Sequence, residues 1–170
     1  MAKKAGTKAM YDARSVANSV LQESWRRGYE LTQLDIQKIC YFLNGHHLRD
    51  YGQPLISTDF VAWKHGPVQT SLYESFKKWG DGPIRELATA FDPIRRRNKP
   101  LPEVTANSAR VTIDVYLDRY ARLPAHVLVG LTHRRGTPWE ITRKLAESSA
   151  NIGMVIERAT IVEHFEGLTA

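Results

Sequence analysis

The chain has 170 residues, of which 42% are hydrophobic and 25% charged, a composition typical of one globular domain. No apolar run approaches the roughly 18 residues that a membrane span requires, and the basic start MAKKAGTKAM lacks the apolar region of a secretory signal. Cys40 is the single cysteine, which excludes an internal disulfide and a cysteine-based zinc cluster. We therefore expect a soluble, cytoplasmic protein without membrane contact.

The net charge of +6 and the pI near 9.5 would ordinarily indicate a nucleic-acid partner. The position of the charge weakens that interpretation. Seven basic residues lie in two segments without acids, and the rest of the chain has 17 basic against 18 acidic residues. Such charge runs are more often solvated than bound. Nucleic-acid binding stays an alternative, and its candidate residues form the second of these segments: Arg95, Arg96, Arg97 and Lys99.

Residues 1–10 are predicted to form a disordered basic tail, because small and charged side chains offer nothing to bury. Apolar residues at helical spacing predict a first helix over 12–27, ended by Gly28. Thr32 is the expected N-cap of a second helix, with Asp35 in the place of a capping-box acid. Apolar side chains lie on most sides of that second helix, so we expect it to be the central, buried helix.

The next segments contain two conspicuous corners. ISTDFVAW is expected to be extended, and WKHGPV to turn at Gly66 so that Pro67 opens a helix that Gly80 closes. Residues 81–109 are predicted to form a short helical turn and a long exposed loop. Helices are then expected over 110–122, 124–131, 137–147 and 157–165, with an extended stretch over 152–156. GTPWE predicts a capping box in which Thr137 caps and Glu140 reaches back to its N–H.

The chain shows no catalytic or metal signature. Four histidines could in principle lie together in the fold, at positions 46, 47, 65 and 133. Their spacing matches no zinc site, and HExxH is absent. Cys40 lies on a predicted buried face, where thiols are inert. Neither GxSxG nor a phosphate loop occurs. We expect no enzyme activity and no cofactor.

Three motifs carry a resemblance to a known family. LxKLLYF is matched by Leu34 to Phe42, aWxxGPV by Ala62 to Val68, and lTHxxxPW by Leu131 to Trp139. The chain, over about residues 11–167, resembles the Panacea domain family, which includes SocA-like antitoxins and phage-associated proteins of the GepA type. The resemblance assigns residues 11–170 to one mainly α, compact domain of about six or seven helices with a small extended or β element.

The same resemblance implies the antitoxin of a toxin–antitoxin system. Family members neutralise a cognate protein toxin by direct binding, and the SocA branch acts as an adaptor that delivers its toxin to the ClpXP protease. Because some relatives have phage-associated or regulatory roles, a phage-associated nucleic-acid-binding or regulatory protein is the alternative function.

The two Trp/His corners raise a separate hypothesis about the binding site. Each corner alone is most simply structural, since a tryptophan at an element boundary is more often core than contact. If the two lie together, they would form one aromatic and basic surface, the composition favoured at interface hot spots. We call this set of partner-binding candidates the corner patch: Trp63, Lys64, His65, His133 and Trp139.

Overall fold

The computed structural model describes residues 10–148 and 154–168. Over these residues the chain forms seven α-helices: α1 Ala13–Arg26, α2 Gln33–Tyr51, α3 Thr70–Phe76, α4 Asn107–Ala121, α5 Ala125–His133, α6 Pro138–Ser148 and α7 Arg158–Glu166. A 3₁₀ turn, Lys77–Trp79, continues α3. Two antiparallel hairpins complete the fold, β1 Val61–Trp63 with β2 Gly66–Val68, and β3 Thr89–Asp92 with β4 Arg97–Pro100. The prediction of a mainly α domain with a small β element is confirmed.

Helix α2 is the centre of the molecule. All fourteen residues from Asp35 to Leu48 are buried, and α1, α3, α4, α5, α7 and β2 pack around them. The approach of α7 is close enough to require a glycine, because a Cβ at Gly45 would lie 2.2 Å from the ring of Phe165. A helix buried on every side needs neighbours on every side, and the short elements that follow α2 supply them.

The predicted bounds of α1 and the predicted start of α2 are confirmed. Asp12 caps α1 by accepting from the Arg14 N–H at 2.8 Å, and Gly28 follows that helix with a positive φ of 82°. At the start of α2, Thr32 and Asp35 form the reciprocal capping box. These ends are fixed by side chains within three residues of the backbone groups they satisfy, so local sequence was enough to place them.

The predicted corner at Gly66 and Pro67 is wrong in its secondary structure. Residues 66–68 form β2, paired with β1 in the register Ala62↔Pro67 and Trp63↔Gly66, and the helix starts at Thr70. A proline φ suits a strand edge as well as a helix start, and contacts with α2 select the strand. Trp63 is also not packed beneath the corner, since it is 37% exposed.

The long exposed loop predicted after Gly80 is instead organised around the second hairpin. No helical turn occurs between residues 81 and 106, all of which the structure describes. Asp92 closes the hairpin turn by accepting from the N–H groups of Ile94 and Arg95, at 3.0 and 3.1 Å. The Asp-Pro pair at 92–93 is a turn signal that the sequence did contain.

The C-terminal helices follow the predictions with one change. Thr137 caps α6 as expected, but Glu140 Oε2 accepts from the Gly136 N–H at 3.2 Å, one residue before the predicted Thr137 N–H. Part of the predicted extended stretch 152–156 is described, and there Val155 bridges to Val61. Its first two residues, and the predicted tail except Met10, lie outside the described residues.

Candidate partner-binding site

The β1–β2 hairpin forms the first half of the site. Its turn, Lys64–His65, is exposed, whereas all three residues of β2 are buried. Gly66 closes the turn with φ 108°, and a Cβ there would lie 2.7 Å from Thr132 Oγ1 and 2.8 Å from Lys38 Cε. Only glycine fits this position, because the backbone is in a region that other residues avoid and the neighbours leave no space.

The turn between α5 and α6 forms the second half. Thr137 Oγ1 lies 2.7 Å from the Thr132 carbonyl oxygen and 2.8 Å from that of Arg134, so the buried threonine ties the turn to the end of α5. Pro138 takes the first position of α6, where its missing N–H needs no partner. This arrangement fixes His133 at the end of α5 and Trp139 at the start of α6.

The structure brings the two corners together. Trp139 Nε1 donates to the Trp63 carbonyl oxygen at 2.7 Å, which joins α6 to β1. The His133 ring stacks on the Trp139 ring with centroids 3.7 Å apart and planes within 5° of parallel, and the Arg143 guanidinium lies 5.7 Å from the Trp139 centroid. Trp63, His133 and Trp139 are therefore one contiguous group, partly exposed and fixed by direct contacts.

A buried lysine below the patch was missed by the sequence reasoning. Lys38 of α2 is fully buried, and its Nζ donates to the Pro67 carbonyl oxygen at 2.9 Å, which holds β2 against α2. No carboxylate pairs with it among the described residues, and burial lowers the pKa of Lys38 to about 7. The sequence did contain a signal for this residue. Lys38 stands inside the apolar run IQKICYFL, in a helix that was predicted to be buried.

Lys38 also affects His133, one of the two histidines of the patch. Burial lowers the pKa of His133, and the positive charges of Lys38, His65 and Arg143 lower it further. Its Nε2 is buried without a hydrogen-bond partner among the described residues. At neutral pH His133 is thus a neutral, stacked aromatic ring, and the positive charge of the patch comes from other side chains.

A small pocket opens beside the corner patch, with a volume of about 190 Å³. It lies between the β1–β2 hairpin, the first half of α2 and the start of α3. The Trp63 ring meets the Tyr73 ring edge to face, with centroids 5.1 Å apart. The full lining is Gln33, Leu34, Gln37, Lys38, Trp63, Lys64, His65, Val68 and Tyr73.

The four nucleic-acid candidates lie on the other hairpin, β3–β4. Asp92 pairs with Arg95 at 3.0 Å and with Lys99 at 3.6 Å, so two of the four cations are partly neutralised within the hairpin. Arg96, in the turn, and Arg97, at the start of β4, are exposed. None of the four belongs to the corner patch.

The histidines do not converge. His46 stacks on Tyr116, and its Nε2 lies 2.6 Å from the Tyr120 hydroxyl; burial, then the charges of Arg49 and Arg119, lower its pKa to about 4. His47 Nδ1 lies 2.7 Å from the Gln53 carbonyl oxygen. Over residues 10–148 and 154–168, no three His, Cys, Asp or Glu side chains are grouped so as to hold a metal ion. Within the same residues, none of the helices has both the length and the hydrophobicity that a membrane span needs.

Comparison with known proteins assigns the chain to a family. The family described as antitoxin SocA-like, Panacea domain matches residues 36–140, a range that starts in α2 and ends just after Trp139, so that it includes both corners. The chain belongs to this family of SocA-like antitoxins with a Panacea domain. It is 29% identical over 154 residues to Antitoxin SocA of Caulobacter vibrioides (strain NA1000 / CB15N), covering 91% of this chain and 82% of the relative. No solved structure matches the chain.

Proposed function

We propose that this chain is the antitoxin of a toxin–antitoxin pair and neutralises a cognate protein toxin by binding it directly at the corner patch. The family membership and the name of the Caulobacter relative support the first part. The junction of the two corners supports the second. Separate segments converge on a fixed, partly exposed group of two tryptophans and a histidine, and rigid aromatic side chains are the usual anchors of protein interfaces.

Co-expression tests this function. The reading frame next to this gene is placed under an inducible promoter, and growth is scored with and without this chain. The expected result is growth arrest by the neighbour and rescue by this chain. A harmless neighbour, or an arrest that this chain does not relieve, would refute the antitoxin function.

Substitutions in the patch locate the binding site. Trp63→Ala and His133→Ala are expected to weaken the complex with the toxin at least ~10-fold, the size of effect typical of a hot-spot residue. Trp25 of α1 is a matched control, because it has the same exposed fraction, 37%, as Trp63. Equal losses for Trp63→Ala and Trp25→Ala, with both variants folded, would assign the patch a structural role alone.

Two modes of neutralisation are compatible with direct binding. In one mode the antitoxin blocks the toxin, and in the other it delivers the toxin to a ClpXP-type protease. The amount of toxin in growing cells separates the two modes. A stable toxin level during rescue indicates blocking, whereas a protease-dependent fall in toxin during rescue indicates delivery.

A further inference from the structure

The pocket beside the corner patch has the size and lining for one apolar side chain. Its volume of about 190 Å³ lies below the roughly 300–1,000 Å³ of sites that enclose a whole small ligand. Two aromatic rings, Trp63 and Tyr73, and the aliphatic side chains of Leu34 and Val68 line it. A cavity of this kind fits one side chain of a larger molecule that covers the surrounding surface.

Basic side chains lie at both corners of the patch. Lys64 and His65 line the pocket, and Arg134 and Arg135 follow His133 in the second corner. All four side chains are exposed, and none of these side chains forms a hydrogen bond or a salt bridge with another described residue.

The acids of the neighbouring elements are already engaged. Glu74 of α3 pairs with Lys77, Glu140 of α6 pairs with Lys144, and Asp35 accepts from the Thr32 N–H and hydroxyl at the start of α2. None of the nine residues that line the pocket is acidic. Lys64, Arg134 and Arg135 form no salt bridge within the described residues, although Arg135 is close enough to Glu140 to lower the pKa of that carboxyl. Their side chains are therefore available to carboxylates from a partner.

One polar atom of the lining also lacks a partner. Gln33 Oε1 is buried and accepts no hydrogen bond from any described residue. A buried acceptor left unsatisfied costs about 1–3 kcal/mol, and a rotation of the Gln33 amide that turns Oε1 toward the pocket would let an N–H group of a bound segment satisfy it. An extended peptide supplies such a group next to each side chain.

We infer that the pocket binds an acidic segment of the toxin, with one aromatic or branched apolar side chain inside the pocket and carboxylates on either side paired with Lys64, Arg134 and Arg135. The inference rests on the proposed function and adds the chemistry of the partner to it. Single-stranded nucleic acid is the competing ligand for this surface. It would supply anionic phosphates to the same cations and bases that stack on aromatic rings, so the titration below includes an oligonucleotide.

Peptides test the chemistry without the toxin. The probes are the nine-residue peptides DEDEFEDED and DEDEAEDED, and a twelve-nucleotide oligothymidylate, each titrated into the full-length chain and followed by NMR. The expected result is that the Phe peptide shifts the resonances of Trp63, Tyr73 and Lys64 and binds at least ~10-fold more tightly than the Ala peptide. Equal binding of the two peptides, or tighter binding of the oligonucleotide at the same resonances, would overturn the inference.

A second measurement uses the toxin complex and a matched pair of variants. Lys64→Glu/Arg135→Glu and Arg96→Glu/Arg97→Glu change the net charge equally, at exposed positions of the corner patch surface and of the β3–β4 hairpin. The first pair is expected to raise Kd of the toxin complex at least ~30-fold and to weaken its salt dependence, and the second to change Kd less than ~2-fold. Thermal unfolding checks that both variants fold.

The outcomes separate the inference from the proposed function. If the neighbouring protein forms no complex with this chain, both are refuted. If Trp63→Ala and His133→Ala weaken the complex while Lys64→Glu/Arg135→Glu leaves its Kd within ~2-fold, the binding site stands and the acidic segment is ruled out.

Discussion

Two hairpins of similar size meet different surroundings in this molecule. In β1–β2, the second strand is buried throughout, and Lys38, Thr132 and Trp139 hold the hairpin from three different helices. In β3–β4, the second strand is exposed at every position, and Ile94 near the tip is 89% exposed. The first hairpin is part of the core, and the second is an arm attached at its base.

The two hairpins also differ in how their basic residues are held. The β3–β4 arm has the denser run of cations, but Asp92 pairs with two of them. The β1–β2 turn contributes only Lys64 and His65, which lie on a rigid base beside an apolar pocket. Rigid, partly desolvated positions contribute most to binding energy, so we place recognition at the first hairpin.

The largest effect is expected from Gly66→Ala, which would break the attachment of the buried hairpin. The new Cβ strains a backbone at φ 108° and overlaps Thr132 and Lys38, so we expect a loss of about 4 kcal/mol in the free energy of unfolding. Gly130→Ala is the control, since Gly130 is helical with open space around it, and it should stabilise by up to ~1 kcal/mol. Urea denaturation measures both, and a loss below ~1 kcal/mol for Gly66→Ala would contradict the packing described.

The next effect concerns the lysine beneath that hairpin. Its folded-state pKa of about 7 lies below the ordinary value of 10.5, so the unfolded chain binds more protons between these pH values and stability rises with pH across the window. The free energy of unfolding of the wild type, measured relative to that of Lys38→Met, should rise by about 3 kcal/mol between pH 7 and pH 9.5. Urea denaturation at several pH values checks this, with the exposed Lys64→Met as control. A constant difference between wild type and Lys38→Met would show that Lys38 keeps its charge.

A smaller effect is expected where the exposed hairpin joins the core. Asn18 is fully buried; its Nδ2 donates to the carbonyls of Ala88 and Leu101, and its Oδ1 accepts from the Ala88 N–H. Asn18→Ala leaves these groups unsatisfied and should cost about 2 kcal/mol, with faster hydrogen exchange over residues 88–101. Asn98 is exposed on β4 and serves as the control: Asn98→Ala should change the free energy of unfolding by less than ~0.5 kcal/mol. Equally faster exchange over 61–68 would mean that the two hairpins are not independent.

The smallest effect is expected at the tip of the exposed arm. Arg96→Glu/Arg97→Glu should change stability by less than ~0.5 kcal/mol, because both side chains are exposed and have no ion pair within the described residues. Affinity for double-stranded DNA, measured against salt concentration, should be weak and unchanged by the substitution. A steep salt dependence that the double variant abolishes would instead support nucleic-acid binding at this arm.

The predictions that succeeded concern local features. The cap at Thr32, the glycine after α1 and the cap at Thr137 all depend on contacts within a few residues. The central position of α2 also followed from its pattern of apolar residues, which predicted burial on most sides; the structure buries it on every side. The predictions that failed, at Pro67 and over residues 81–106, concern segments whose local signals suit more than one structure.

The sequence by itself determined most of the helices, the caps at Thr32 and Thr137 and the family motifs, because capping and amphipathic periodicity act over a few residues. Only the tertiary structure decided that Trp139 meets Trp63, 76 positions away, and that Lys38 holds Pro67, 29 positions away. The same contacts make a strand of residues 66–68 and create the pocket beside them. Contacts at such separations depend on how helices pack around α2, and no local preference of the chain specifies that packing.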